Sequence, residues 1–460
     1  MTVKLISPID GSVYAERPYT TDAALDVAIA RARAAQAEWA LVPVAQRVKL
    51  VLGFLDAVLA MNDEIVPELA WQMGRPVRFG GEKGGLEERC RYMASIAAES
   101  LQSFVPEEKA GFRRYIKHEP LGLVLVVAPW NYPFLTAGNT IFPALMAGNA
   151  VILKHAAQTL LVGERFQQAY EKSGLPKGLF HNVVLSHEQT EKLIGSGKIR
   201  HINFTGSVAG GKAVERAAAG SFASLGLELG GKDPAYVRED VKLDHAVENL
   251  VDGSFFNSGQ CCCGIERIYV HEKVFEPFLE AFVDLTRKYV VGNPLDQATT
   301  IGPMARGSFA DTVRDQVAEA LRKGARPHIG MKVENDRAGS PYLAPEVLTN
   351  VDHQMAVMRE ESFGPVVGIM KVRDDDEAVT LMNDSPYGLT ASIWTTDEDS
   401  AASIGDRVAA GTVFMNRCDY VDPGLVWTGV KDTGRGVTLS QFGFHNLTRP
   451  KSFHLRTKIG

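Results

Sequence analysis

Leu121-Gly122-Leu123-Val124-Leu125-Val126-Val127-Ala128 is a continuous apolar run rich in β-branched residues. It has the length of one buried strand. A second such run, Ala150 to Leu153, lies downstream, followed by a helical segment around Leu160 to Lys172. The strand-like Asn182 to Leu185, a short helix and the strand-like Ile202 to Phe204 continue the pattern. Strands that alternate with helices predict a parallel sheet covered on both faces. That is the doubly wound α/β architecture, whose ligands bind beyond the carboxyl ends of the strands. Upstream, Thr21 to Ala40 reads as a helix with Leu25, Ala28, Ile29, Ala32, Ala35 and Trp39 on one face. A second alternation begins after Gly231. Arg267 to Val270, Leu343 to Leu348 and Pro365 to Val372 read as strands, and Lys273 to Tyr289 as a helix with Phe275, Phe278, Phe282 and Leu285 inward. The segment from Thr438 to Gly460 is polar and basic with scattered aromatics, and reads as an arm.

The length of 460 residues predicts two or three domains. With 45% apolar and 23% charged residues the chain has the composition of a soluble globular protein. A formal charge of -6 argues against nucleic acid or an anionic membrane as the main partner. The first residues carry no long apolar h-region, and no apolar run is long enough to cross a bilayer. The five cysteines, Cys90, Cys261, Cys262, Cys263 and Cys418, are odd in number and three are adjacent. This does not resemble a disulfide framework, so the expected compartment is the reducing cytoplasm. No paired C-x2-C spacing is present, so no metal is expected.

The chemistry concentrates in a few loops. Phe256-Asn257-Ser258-Gly259-Gln260-Cys261-Cys262-Cys263 sets thiols in a Gly/Asn/Gln-rich turn, and a thiolate is a good nucleophile. Leu227-Glu228-Leu229-Gly230-Gly231-Lys232 places a carboxylate on an apolar strand, where burial makes it a usable base near neutral pH. Phe204-Thr205-Gly206-Ser207-Val208-Ala209-Gly210-Gly211 follows a strand and opens a helix. Such a turn suits a phosphate at a helix N-terminus, although an ordinary turn reads equally well. Lys154 ends a buried strand, as a ribose or phosphate contact or as a solvated tip. In Pro129-Trp130-Asn131-Tyr132-Pro133 a rigid loop presents an Asn amide, either a structural turn or a donor to an oxyanion worth ~3 kcal/mol. Glu361 is a ribose contact or a surface acid. A thiol nucleophile, a carboxylate base and a nucleotide scaffold together point to oxidation through a covalent thioester.

Five motifs in order, the Pro129, Phe204, Leu227 and Phe256 segments and Glu361-x-Phe363-Gly364-Pro365, resemble the NAD(P)-dependent aldehyde dehydrogenase superfamily from about Ile6 onward. The resemblance implies two Rossmann-like open-sheet α/β domains plus a small β oligomerisation element. Residues 1–110 and 121–229 would bind the cofactor, and residues 230–437 would form the catalytic domain. Residues 111–120, as a hairpin, and the arm 438–460 would make a homodimer or homotetramer. It further implies that Cys262 is the nucleophile, Glu228 the general base, and Asn131 with the Cys262 N–H the oxyanion site. NAD or NADP would meet Trp130, Lys154, Ala157, Gly206, Ser207, Gly211, Glu361 and Phe363. A funnel of Tyr132, Thr136, Asn139, Cys261, Cys263, Asp419, Val421 and Trp427 would receive the aldehyde.

The chain departs from the family's usual pattern in three places. Members that prefer NAD often carry a Glu where Ala157 stands, so NADP is expected to be accepted, because a 2′-phosphate meets no like charge. Many members place a Lys and a Glu, thought to pass protons from the base, where Thr140 and Gly436 stand. The polar funnel suggests a small or polar aldehyde or a semialdehyde, with Arg417 either recognising a carboxylate or pairing with Asp419. Two rival readings keep the fold: a coenzyme A-acylating enzyme, against which Glu228 argues, and a catalytically silent homologue.

Overall fold

The computed structural model describes residues 1–459. Two sheets organise the chain. The first has six strands in the order Gly434–Arg435, Ser224–Glu228, His201–Thr205, Leu123–Val127, Ala150–Lys154 and Phe180–Asn182. All neighbours are parallel except Gly434–Arg435, which runs antiparallel to Ser224–Glu228. The second has seven, in the order Arg326–Pro327, Glu346–Thr349, Val366–Val372, Ile265–His271, Asp233–Val237, Thr390–Trp394 and Thr412–Met415. Only the edge strand Arg326–Pro327 is antiparallel there.

The expected α/β architecture is therefore present. Leu123 to Val127 and Ala150 to Leu153 are buried throughout, as strands covered on both faces must be. Under the first sheet Phe54 meets Phe142, Phe166, Tyr170 and Phe180 at centroid separations of 5.3 to 6.2 Å. Each such ring contributes about 2 kcal/mol by burial. The first helix spans Asp22–Trp39, capped by Thr21, with Leu25, Ile29, Ala32 and Trp39 buried.

The structure departs from the sequence reading in several places. The strand expected at Asn182 to Leu185 lies at Phe180–Asn182; Val183 N–H still donates to Leu153 O at 2.9 Å, and Leu185 is buried in the loop that follows, so its apolarity reports packing. Residues 111–120 are not a hairpin by themselves, although antiparallel bridges join Phe112 to Lys109 and Ile116 to Phe104 just upstream. Phe112–Pro120 is one strand, and its partner is Thr448–Arg456 of the arm, nine residue pairs long. Within the arm, Ser440–Asn446 is a helix that buries Phe444. The boundary drawn at 437 is crossed as well, because Gly434–Arg435 joins the first sheet rather than the second. Among the described residues, no helix is long and apolar enough to cross a membrane, and no group of three or more His, Cys, Asp or Glu is placed to hold a metal.

Candidate active site

The parallel register of the first sheet brings the motif loops to one edge. Thr205 pairs with Glu228, Phe204 with Val127, and Val127 with Lys154. The loops that follow these strands open side by side. They line a cavity of about 260 Å³ that includes Trp130, Asn131, Gly206, Ser207, Glu228, Cys262, Glu361 and Phe363.

Glu228 sits at the last position of its strand. Burial pushes its carboxyl above the usual range, while hydrogen bonds from Thr438 and Thr205 and the Arg89 guanidinium pull the other way. Thr438 Oγ1 donates to Oε1 at 2.8 Å and Thr205 Oγ1 to Oε2 at 3.2 Å. Thr438 reaches this strand because the antiparallel edge Gly434–Arg435 delivers it, and its backbone is paired with Trp427.

Asn131 is buried, and its carbonyl accepts from Arg75 Nη2 at 2.5 Å and from Asn257 Nδ2 at 3.3 Å. Its side-chain amide has no protein partner among the described residues and faces the cavity. Arg75 also donates to Asn257 Oδ1 at 3.2 Å and pairs with Glu82 at 2.6 Å. Glu82 Oε2 in turn accepts from the N–H groups of Phe134 and Leu135, two of the orphan donors at the start of the helix Pro133–Ala147. One buried ion pair thus ties the Asn131 loop, the thiol loop and a helix N-terminus together.

The thiol loop turns through three successive left-handed residues, Asn257, Ser258 and Gly259. Ser258 Oγ donates to Gly302 O at 2.9 Å, and Gln260 Oε1 accepts from Ala305 N–H at 2.8 Å, so tertiary bonds hold this uncommon backbone. The sulfurs of Cys261 and Cys263 are 3.5 Å apart. Hydrogen bonds from Cys262 and Cys263 hold the Cys261 thiol well below the usual range, and the same bonds push Cys262 and Cys263 above it. Two glycines let this loop approach its neighbours: a Cβ on Gly231 would stand 2.5 Å from Cys262 O, and one on Gly230 2.5 Å from the Glu361 carboxylate.

On the nucleotide side, Ser207 caps the helix Val208–Ala218 by accepting from Gly210 N–H. Glu361 Oε1 accepts from Gly231 N–H at 2.9 Å, and burial followed by the neighbouring Glu266 raises its carboxyl to about 7. Its loop is pinned from below: Glu266 accepts from Lys232 Nζ at 2.5 Å and from the N–H groups of Ser362 and Phe363. Trp130 stacks on Phe309 at 5.4 Å and meets Phe363 edge-on at 5.6 Å. An apolar slot with a carboxylate at one end and a helix N-terminus at the other fits a nicotinamide nucleotide. Lys154 ends its strand, half-buried and lowered in pKa by that burial. Ala157 opens the short turn Ala157–Thr159. Neither reaches the cavity wall. Gly211 does not face the cavity either, since a Cβ there would meet Leu229 at 2.5 Å. It is a packing position for the helix.

The funnel residues divide. Tyr132, Thr136 and Asn139 share one face of the helix start, but the Thr136 hydroxyl is spent on Tyr132 O at 2.7 Å. Asp419 borders the thiols, and burial lifts its carboxyl to about 7. Val421 and Trp427 are buried in the core, so they back the wall rather than line it. Arg417 does not pair with Asp419. Its guanidinium lies 3.4 Å over the Tyr420 ring. Arg89 was not anticipated. It donates to Asn139 Oδ1 at 3.3 Å, stands within electrostatic reach of Cys263, Glu82, Glu228 and Cys262, and has no ion-pair partner among the described residues. Arg75, Glu82, Phe309 and Thr438 were missed too. Each comes from a segment remote in sequence, and only the pairing of a buried acid with a nearby arginine gives a local hint.

The family model described as "Aldehyde dehydrogenase family" matches residues 1–453. Succinate semialdehyde dehydrogenase [NAD(P)+] Sad of Escherichia coli is 31% identical over 443 residues, covering 96% of this chain and 95% of that protein. Succinate-semialdehyde dehydrogenase [NADP(+)] of Mycobacterium avium is 33% identical over 457 residues, covering 98% and 96%. The crystal structure of succinate-semialdehyde dehydrogenase from Burkholderia pseudomallei superposes with a TM-score of 0.94 at 28% identity, covering 99% and 95%. The motifs, the two-sheet fold and these matches agree: the chain belongs to the aldehyde dehydrogenase family of NAD(P)-dependent oxidoreductases.

Proposed function

We propose that Cys262 is the nucleophile, Asn131 the oxyanion donor and Glu228 the general base of aldehyde oxidation. The observation that supports this most is that all three border one cavity. Cys262 releases its thiol proton to water, and its sulfur forms a bond to the aldehyde carbon while the carbonyl electron pair moves onto oxygen. That oxyanion meets the unspent Asn131 amide and the Cys262 N–H, which has no protein acceptor among the described residues. Bound NAD or NADP supplies a hydride acceptor in the Trp130–Phe363 slot. Once the carbon has lost hydride it is held as a thioester. Glu228 then takes a proton from water, the resulting hydroxide adds to the carbon, the C–S bond breaks, and the acid leaves.

Cys262→Ala is expected to abolish turnover while NAD(P) still binds. Glu228→Gln is expected to give one burst of NAD(P)H and then stall as the thioester. A Cys262→Ala enzyme that turns over normally would refute the reading, and turnover that requires coenzyme A would reassign the acceptor.

The substrate reading is a small or polar aldehyde, and a semialdehyde first. Arg89 supports it: a half-buried guanidinium with one protein hydrogen bond beside the thiol cluster suits a carboxylate. A panel of acetaldehyde, glycolaldehyde, succinic semialdehyde, benzaldehyde and hexanal tests it, and the best kcat/KM for hexanal would overturn it. The catalytic form is a homodimer or homotetramer. The ribbon of Phe112–Pro120 and Thr448–Arg456 belongs to neither large sheet and, among the described residues, meets further backbone only at the bridges to Phe104 and Lys109, and a two-stranded ribbon with an open edge is marginal in water. Light scattering of the purified chain decides the stoichiometry. Five free thiols suit a reducing compartment such as the cytoplasm.

A further inference from the structure

Apart from the cavity that holds Glu228 and Cys262, a much smaller cavity of about 10 Å³ lies between the first sheet and the arm. Its walls include Asn139, Thr140, His201, Asn203, Thr438 and Asn446. Thr140 Oγ1 and Asn203 Oδ1 are buried and have no protein hydrogen-bond partner, and both residues are only 1% exposed. Thr438, also on the wall, donates its single hydroxyl hydrogen to Glu228 Oε1 at 2.8 Å. That leaves its lone pairs for the cavity.

An orphaned buried polar atom is costly. A cavity of this volume, about one probe sphere, with two to four polar partners is what an ordered water requires. We propose that one water molecule held by Thr140, Asn203 and Thr438 fixes the Thr438 hydroxyl as a donor to Glu228, which makes these three positioning residues for the base. The water accepts from the Thr140 O–H, donates one hydrogen to Asn203 Oδ1 and the other to a lone pair of Thr438 Oγ1. With that lone pair engaged, the Thr438 hydrogen stays directed at the carboxylate, and the ionised form of Glu228 is favoured.

The arrangement accounts for two residues together. Gly436 has φ of 90°, and a Cβ there would stand 2.9 Å from Gly226 Cα, so this backbone accepts no acidic side chain. Thr140 is correspondingly neutral. The other groups facing Glu228 are Arg89 from the helix Lys83–Ser100, the Thr205 hydroxyl and the Cys262 thiol across the larger cavity. His201, on the small cavity's wall, is neutral near pH 7 because burial lowers it to about 4.

This inference rests on Glu228 acting as the base, and its test separates the two. A high-resolution crystal structure of the wild-type enzyme should show one water within hydrogen-bond distance of Thr140, Asn203 and Thr438. Thr140→Val, nearly isosteric, should lose it. In stopped flow the Thr140→Val enzyme should keep the NAD(P)H burst, while its deacylation midpoint moves alkaline by about 0.7 of a pH unit, the equivalent of one hydrogen bond. Thr140→Ser should restore the wild-type profile. A dry cavity in the wild-type crystal, or a Thr140→Val profile that superposes on wild type, overturns the inference alone. A Glu228→Gln enzyme that deacylates normally overturns the base assignment instead.

Discussion

Replacing Glu82 by alanine should damage stability and catalysis by separable routes. The Arg75–Glu82 pair is 2.6 Å long with both side chains 3% exposed. Removing one member of a buried pair strands the other charge and costs about 3–5 kcal/mol. The Phe134 and Leu135 N–H groups lose their shared acceptor as well, at about 1 kcal/mol each less what water recovers. Glu82→Ala is therefore expected to lose about 4–6 kcal/mol, read as the shift of the urea unfolding transition. The double variant Arg75→Met with Glu82→Gln removes both charges and keeps a side-chain carbonyl for the helix start. It should return to within about 2 kcal/mol of wild type. Its burst should stay slow by about a hundredfold, because the Asn131 carbonyl then loses the Arg75 guanidinium and keeps only the 3.3 Å bond from Asn257 Nδ2. A Glu82→Ala enzyme within about 1 kcal/mol of wild type, or a double variant with a wild-type burst, would refute the clamp.

Glu361 titrates at about 7, and only its ionised form is a pure acceptor for ribose hydroxyls. Cofactor affinity measured by calorimetry should therefore fall as pH drops through about 7, and Glu361→Gln should bind more weakly with no such dependence. Ala157→Glu should move cofactor preference toward NAD by about tenfold, the effect of ~1.4 kcal/mol of repulsion on a 2′-phosphate; an unchanged NAD to NADP ratio of kcat/KM would remove Ala157 from the adenosine site. Arg89→Met should raise KM for succinic semialdehyde at least about tenfold and leave acetaldehyde within about twofold. Equal effects on both aldehydes would make Arg89 a support for Glu228 rather than a substrate contact.

How legible the protein is from its sequence depends on whether the signal is local. Val124 to Val127 and Val151 to Leu153 announce themselves because a strand covered on both faces must be apolar at every position. The helix Pro133–Ala147 is buried on nearly every side, which erases the amphipathic period, and Pro143 and Gly138 within it imitate a loop. The arm reads as polar because both faces of its strand are largely exposed, yet its partner lies more than three hundred residues upstream. The site divides the same way. Asn131, Ser207, Glu228, Cys262 and Glu361 stand in short motifs, whereas Arg75, Arg89, Phe309 and Thr438 reach it only through tertiary packing.

The residues that escape the motifs are the ones that tune the chemistry. A carboxylate at a strand end, buried and otherwise unassisted, would hold its proton too tightly to serve as a base at neutral pH. Thr205 is the adjacent strand's contribution and follows from the register. Thr438 requires more: an antiparallel edge strand from the end of the chain, and a backbone pair with Trp427. The helix Ser440–Asn446 follows it directly and leads into the ribbon strand Thr448–Arg456. The hydroxyl that favours an ionised Glu228 is thus carried by the same short segment that anchors the ribbon.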